Sequence, residues 1–251
     1  MSVILSFDGP RADVLLDRPE VLNAMDFDVF DSLARAADEI AEHDPRVVVI
    51  SGKGRSFSAG IDVGSLGSVS GGPAETIARA QAPFRKIAAL PMPTIALVRG
   101  HTLGAGLQLA LACDLRVVTP DAKLGLLEAN YGLIPDLGGS TRLPQIVGTA
   151  RAKRMIWLAE KFTGDEASEL GVADLVASED DIEAVVSALA ERLAEAPFSP
   201  TRAAKRLIDG APFLALEDGM DAEASAQEGC MTAPDFAENM MRGIQRLRTR
   251  P

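Results

Sequence analysis

Apolar residues recur along this chain with two different periods. The short runs "VILSF" and "ADVLLD" flank Asp8-Gly9-Pro10 and predict a β-hairpin. Between Met25 and Pro45 the apolar positions are Phe27, Phe30, Leu33, Ala34, Ala37, Ile40 and Ala41. Steps of three and four residues put them on one face of a helix, and Pro45 lies just past its end. "RVVVIS" (46–51) and "TIALVRG" (94–100) are continuous apolar runs, the pattern of strands covered on both faces. Each leads into a glycine-rich loop. The second loop opens an unusually apolar helix, "GAGLQLALACD", and the strand "LRVVT" follows. A helical segment over about 149–161 precedes "GVADLVAS", and beyond about residue 180 the pattern is helical only. Strand, loop and helix alternate up to residue 180, which predicts an α/β domain with a helical C-terminal part. The Gly/Ser-rich stretch 64–73 interrupts the pattern and is expected to be mobile.

Composition narrows the function classes. Hydrophobic residues make up 47% of the 251, enough for a substantial core, so disorder is excluded as a class. The formal net charge of −11 argues against a nucleic-acid binder, which would present a basic face. An anionic ligand would have to be held by local amides or a few local Lys and Arg. Cys113 and Cys230 form no spacing motif, and Cys113 reads as a buried small hydrophobe. His43 and His101 lack ligand-like spacing, so no metal site is expected. The longest apolar run, Thr102 to Cys113, is too short to span a bilayer, and the start has no basic segment. A soluble, cytoplasmic protein with no membrane partner is the expectation.

The two glycine-rich loops, "VVVISGKGRSFSAGID" and "TIALVRGHTLGAGLQ", could carry chemistry. Small residues let a ligand approach the main chain, and N–H groups at a helix start lack intrahelical acceptors. Two such loops side by side could offer two N–H groups to one developing oxyanion. They could equally be tight turns that permit close packing. Walker spacing, a complete dinucleotide fingerprint and a G-x-S-x-G elbow are all missing. Three polar residues sit in apolar surroundings: Gln108, Glu128 and Asp136. Each has a structural reading, as a satisfied backbone partner, a solvent-facing acid and a turn cap at Gly138-Gly139. Each also has a functional one, as a group that positions or moves protons.

With these residues in place, the chain resembles the enoyl-CoA hydratase/isomerase (crotonase) family. The likeness runs through "LDRPEVLNAMD" (16–26), "GRSFSAGIDV", "VRGHTLGAGLQLALACDLRV" and "LGLLEANYGLIPDLGGSTRLPQIVG", and fades after about 195. It implies a spiral core of ββα units over 1–195 and a helical oligomerisation region over 196–251. It also implies a homotrimer or a dimer of trimers, a coenzyme A thioester substrate, and no further cofactor. The backbone N–H groups of Ile61 and Ala105 match the family's oxyanion pair. The loops holding Asn23, Ala24 and Met25, and Ser58, Ala59, Gly60 and Asp62, match those that receive the substrate, with Gly104 and Gln108 beside them.

Family hydratases use two glutamates, matching Gln108 and Glu128 here, so one carboxylate is lost. An amide can hold water but cannot exchange a proton at neutral pH. Asp136 stands where hydratases have glycine and family isomerases have aspartate. The resemblance therefore favours a double-bond shift in an unsaturated acyl-CoA, with Glu128 and Asp136 moving the proton, and it implies that Gln108→Glu should raise hydration. The alternatives are a hydratase in which Glu128 works alone with Gln108 orienting the water, a non-catalytic acyl-CoA-binding protein, and RNA binding, which the charge opposes.

Overall fold

The first hairpin forms as its alternation dictates. In the computed structural model, which describes residues 2–62, 64 and 72–249, β1 (Val3–Asp8) and β2 (Arg11–Leu16) pair antiparallel across the Gly9-Pro10 turn. Helix α1 (Phe27–His43) begins where Asp26 Oδ1 accepts the Val29 N–H at 3.0 Å, a side-chain N-cap. Strand β3 (Val47–Gly52) follows, then α2 (Pro73–Ala88), β4 (Thr94–Val98), β5 (His101–Leu103) and α3 (Ala105–Ala112). Next come β6 (Leu115–Val118), β7 (Lys123–Gly125), α4 (Gly139–Val147), α5 (Thr149–Trp157), β8 (Lys161–Thr163) and α6 (Gly164–Glu169). The chain ends with β9 (Leu175–Val176), α7 (Ile182–Ala194), α8 (Phe198–Gly210), α9 (Leu216–Thr232) and α10 (Phe236–Thr249).

Two sheets share the core. The larger has the order β1-β2-β3-β4-β6-β9, parallel except for the hairpin, and the smaller is β5-β7-β8. Alternation along β3 divides its side chains between two apolar layers. Val48 and Ile50 join the main core with α1, α2 and α3, while Val47 and Val49 pack with Ile182, Val186 and Ala190 of α7. Beyond Ala190 the one buried hydrophobic side chain among the described residues is Ala226. Polar contacts fasten α8 instead. Lys205 Nζ reaches Asp114 at 2.7 Å and the Met92 carbonyl at 3.0 Å, and Arg202 pairs with Asp44 at 2.6 Å while lying over the Phe198 ring.

Three features depart from the pattern reading. The smaller sheet was not anticipated: its strands are three residues each, below the length at which a period shows. The helix expected over about 149–161 ends at Trp157, because Lys161–Thr163 pairs with β7. Helix α4 starts inside the glycine turn that reads as loop. The stretch expected to be mobile, 64–73, falls largely outside the described residues.

Candidate active site

Four loops meet at the N-terminal end of α3. The loop after β3 brings Ser58 against Thr102: the Leu103 N–H donates to the Ser58 carbonyl at 3.0 Å, and the Ser58 N–H donates to the His101 carbonyl at 2.9 Å. On the other side Met25 bridges to Ile61, with the Met25 N–H donating to the Gly60 carbonyl and the Asp62 N–H to the Met25 carbonyl. Asn23 pins this junction. Its amide nitrogen donates to the Lys53 and Ser56 carbonyls, and its side-chain oxygen accepts the Arg18 N–H. Ser58 Oγ donates to the Asn23 carbonyl at 2.8 Å. Asn23, Met25 and Ser58 are thus buried, and they shape the loops rather than offer side chains to a ligand. Ala24 and Ala59 are partly exposed beside them. Asp62 faces Arg18, which also pairs with Asp26 at 3.0 Å.

The close approach depends on glycine. A Cβ on Gly106 would lie 2.4 Å from the Ser58 carbonyl oxygen, and one on Gly60 would lie 2.7 Å from the Leu103 oxygen and 3.5 Å from the Ala105 nitrogen. Gly104 has φ +50°, and its Cα faces the Glu128 carboxylate. The N–H groups of Ile61 and Ala105 lie on neighbouring loops, and among the described residues neither has an acceptor. The parallel bridge engages the groups on either side of Ile61, and Ala105 is the first residue of its helix, where N–H groups are orphaned.

Glu128 closes the site over Gly104. A Cβ on Gly104 would lie 3.3 Å from Glu128 Oε1. Gln108 Nε2 donates to that same oxygen at 2.7 Å, while the Gln108 oxygen accepts the N–H groups of Leu137 at 2.7 Å and Gly139 at 2.9 Å. The amide is 1% exposed, and its acceptor capacity is full. Gln108 thereby holds Glu128 and ties it to the 137–139 turn. The other carboxylate oxygen, Glu128 Oε2, is buried and has no hydrogen-bond partner among the described residues. Burial pushes the Glu128 carboxyl above the usual carboxylate range. Hydrogen bonds from its own backbone N–H and from Gln108 oppose that rise, and the charge of Asp136 adds to it.

Asp136 does not cap the Gly138-Gly139 turn: the Gly139 N–H is taken by Gln108, and among the described residues the Asp136 carboxylate accepts no hydrogen bond. It is half-buried on a cavity of about 490 Å³ whose lining does not include Glu128, so the two acids meet electrostatically rather than across one shared wall. Gln81 Nε2 donates to the Asp136 carbonyl at 2.7 Å and ties α2 to this loop. The sequence did not single out Gln81 or the Leu137 and Gly139 amides, since backbone donors carry no residue signature. Among the described residues no cluster of acids, His or Cys could hold a metal ion, and no helix is long and apolar enough to cross a membrane.

Comparison with known proteins gives this geometry a context. A family model described as enoyl-CoA hydratase/isomerase matches residues 11–248. The chain is 31% identical over 247 residues to a probable enoyl-CoA hydratase of Mycobacterium tuberculosis, covering 98% of this chain and 95% of that protein. The enoyl-CoA hydratase structure from Bacillus anthracis superposes with a TM-score of 0.92 at 27% identity, over 98% of this chain and 97% of that one. A putative enoyl-CoA hydratase from Thermobifida fusca, in complex with acetoacetyl-CoA, gives 0.84 at 33% identity, over 91% and 94%. The mixed sheets and C-terminal helices are those of the crotonase-like α/β fold, and the chain belongs to the enoyl-CoA hydratase/isomerase family.

Proposed function

We propose that this protein adds water to a 2-enoyl-CoA thioester with Glu128 as its single acid/base. The observation that carries the reading is the buried Glu128 Oε2 beside two N–H groups, none of the three with a hydrogen-bond partner among the described residues. The thioester oxygen accepts from the Ile61 and Ala105 N–H groups, which draws electron density from C3. Glu128 Oε2 takes a proton from water, the hydroxyl adds to C3, and negative charge passes to the thioester oxygen as an enolate. The protonated Glu128 then delivers that proton to C2, and the enolate collapses. One water is consumed and the carboxylate is restored. Gln108 keeps Oε1 occupied, so the same oxygen serves both steps. The hydratase names of the relatives support water addition, and the acetoacetyl-CoA complex of the Thermobifida protein supports a thioester ligand.

A second reading rests on Asp136. Its uncapped carboxylate lies within electrostatic reach of Glu128, and with a 3-enoyl-CoA the pair could pass a proton between C2 and C4, moving the double bond without water. Ultraviolet absorbance of the conjugated thioester separates the readings. Hydration of crotonyl-CoA removes the absorbance, and isomerisation of a 3-enoyl-CoA creates it. Loss of absorbance with crotonyl-CoA, abolished in Glu128→Gln and retained within a few-fold in Asp136→Asn, is the expected result. A gain from 3-enoyl-CoA that Asp136→Asn abolishes, with crotonyl-CoA inert, would replace hydration by the double-bond shift. Binding of both thioesters with neither change would leave a non-catalytic binder.

A further inference from the structure

The Ile61 N–H owes its direction to a single isolated bridge. Met25 pairs with Ile61 in parallel, through the groups on either side of Ile61: the Met25 N–H reaches the Gly60 carbonyl at 2.7 Å, and the Asp62 N–H reaches the Met25 carbonyl at 2.8 Å. The N–H of Ile61 itself therefore points away from Met25. Two hydrogen bonds between short segments are marginal on their own. The segment leading into the bridge is also strained, since Leu22 and Asn23 hold φ at +53° and +56°, a left-handed backbone unfavourable for residues with a side chain. Left to the bridge alone, this segment would relax and carry Ile61 with it.

Arg18 spans both halves of the bridge. Its Nη1 donates to the Ala24 carbonyl at 2.6 Å and pairs with Asp26 Oδ2 at 3.0 Å, one on each side of Met25, and its Nη2 reaches Asp62 Oδ2 at 3.4 Å, next to Ile61. The Arg18 main chain is fixed by the same loop: its N–H donates to Asn23 Oδ1 at 2.9 Å, and its carbonyl accepts the Asn23 N–H at 2.8 Å. A planar guanidinium can hold all three acceptors at once, whereas a lysine ammonium is a single point. We propose that Arg18 is a positioning residue for the reaction: by stapling the 24–26 segment to Asp62 it sets where the Ile61 N–H points, and with it the polarisation of the thioester carbonyl. Arg18 acts through the backbone and touches no reacting atom. The inference rests on the acyl-CoA reading above.

The test reads the thioester carbonyl directly. Butyryl-CoA, isotope-labelled at the carbonyl carbon, is saturated and binds without being hydrated, and its infrared carbonyl band moves to lower frequency when hydrogen bonds polarise it. Wild type should show that shift. Arg18→Met should lose half of it or more and lower kcat with crotonyl-CoA by about 10²-fold, the effect of misplacing a group at the reacting centre, with a smaller change in KM. Arg18→Lys should recover part of both. Arg99→Met removes a comparably shielded arginine that pairs with Glu179 and Glu183 instead, and it should keep the carbonyl shift and kcat whatever stability it loses. A wild-type shift and kcat in folded Arg18→Met, or an equal loss of both in Arg99→Met, would overturn the inference. If Arg18→Met does not fold, Arg18→Lys decides: a reduced shift supports the inference and an unchanged one overturns it. A wild type that leaves the carbonyl band unmoved removes the oxyanion pair and the inference with it, and turnover of crotonyl-CoA, read separately, shows whether the acyl-CoA reading fails too.

Discussion

Glu128 is costly to the fold and useful to the chemistry for the same reason. Burial raises its pKa, so the folded state binds its proton more tightly than the unfolded chain does. A raised carboxyl favours folding below the unfolded pKa, and that contribution is lost as pH rises through the folded value. Glu128→Gln should therefore lose turnover by about 10²–10⁴-fold, the range for positioned proton transfer. It should also gain thermal stability over wild type at about pH 8, by about 2–4 °C, and little at about pH 4. Scanning calorimetry at both pH values checks this, and an equal shift at both would contradict it. Gln108→Glu tests the clamp. One new carboxylate oxygen keeps the Leu137 and Gly139 N–H groups, but the other meets Glu128 Oε1 where the amide now sits at 2.7 Å. Two carboxylates that close share a proton, which raises the apparent pKa of the pair. The shared proton is lost only at that raised value, so an alkaline limb should appear in the pH–rate profile, and hydration below that limb should rise about tenfold as a proton donor is added. A profile superimposable on that of wild type would show that position 108 does not govern the proton.

At the scale of elements, the site is a junction between the larger sheet and the start of α3. The Ser58 backbone passes so close to α3 that Gly106 has no room for a side chain, with a Cβ only 2.4 Å from the Ser58 carbonyl oxygen. Gly106→Ala must push the helix start from the Ser58 loop and move the Ala105 N–H away from that of Ile61. The expected outcome is a fall in kcat of about 10²–10³-fold, as for loss of an oxyanion donor, with a stability loss of about 1–3 kcal/mol from overpacking. Steady-state kinetics and urea denaturation on one preparation would show it, and an unchanged kcat would remove Ala105 from the mechanism. The pattern of apolar residues was enough to read α1, β3, β4 and α3, because each is long or fully buried. It did not reveal β5, β7 and β8, whose pairing comes from contacts remote in sequence.

At the scale of the molecule, the chain beyond α7 leaves large apolar side chains in solvent. Phe213 is 72% exposed, Leu216 77% and Met220 55%, while the main core is already closed without them. Large apolar side chains left in solvent on the C-terminal helices call for a covering partner, and we expect a second and third copy of the chain. Light scattering at micromolar concentration should give three or six times the 26.4 kDa of one chain, and a monomer would refute the expectation. Local pattern alone settled the α/β class, the two glycine-rich loops and the identity of the acids, because period, turn chemistry and residue type are properties of short windows. It left Asp136 open between turn cap and proton carrier, and Gln108 between water ligand and structural brace. Only the tertiary structure excludes the turn cap and shows Gln108 bonded to Glu128. The Gly139 N–H can serve one acceptor, and the fold places Gln108 on it, which frees Asp136 for the cavity and, among the described residues, leaves a single oxygen of Glu128 unengaged.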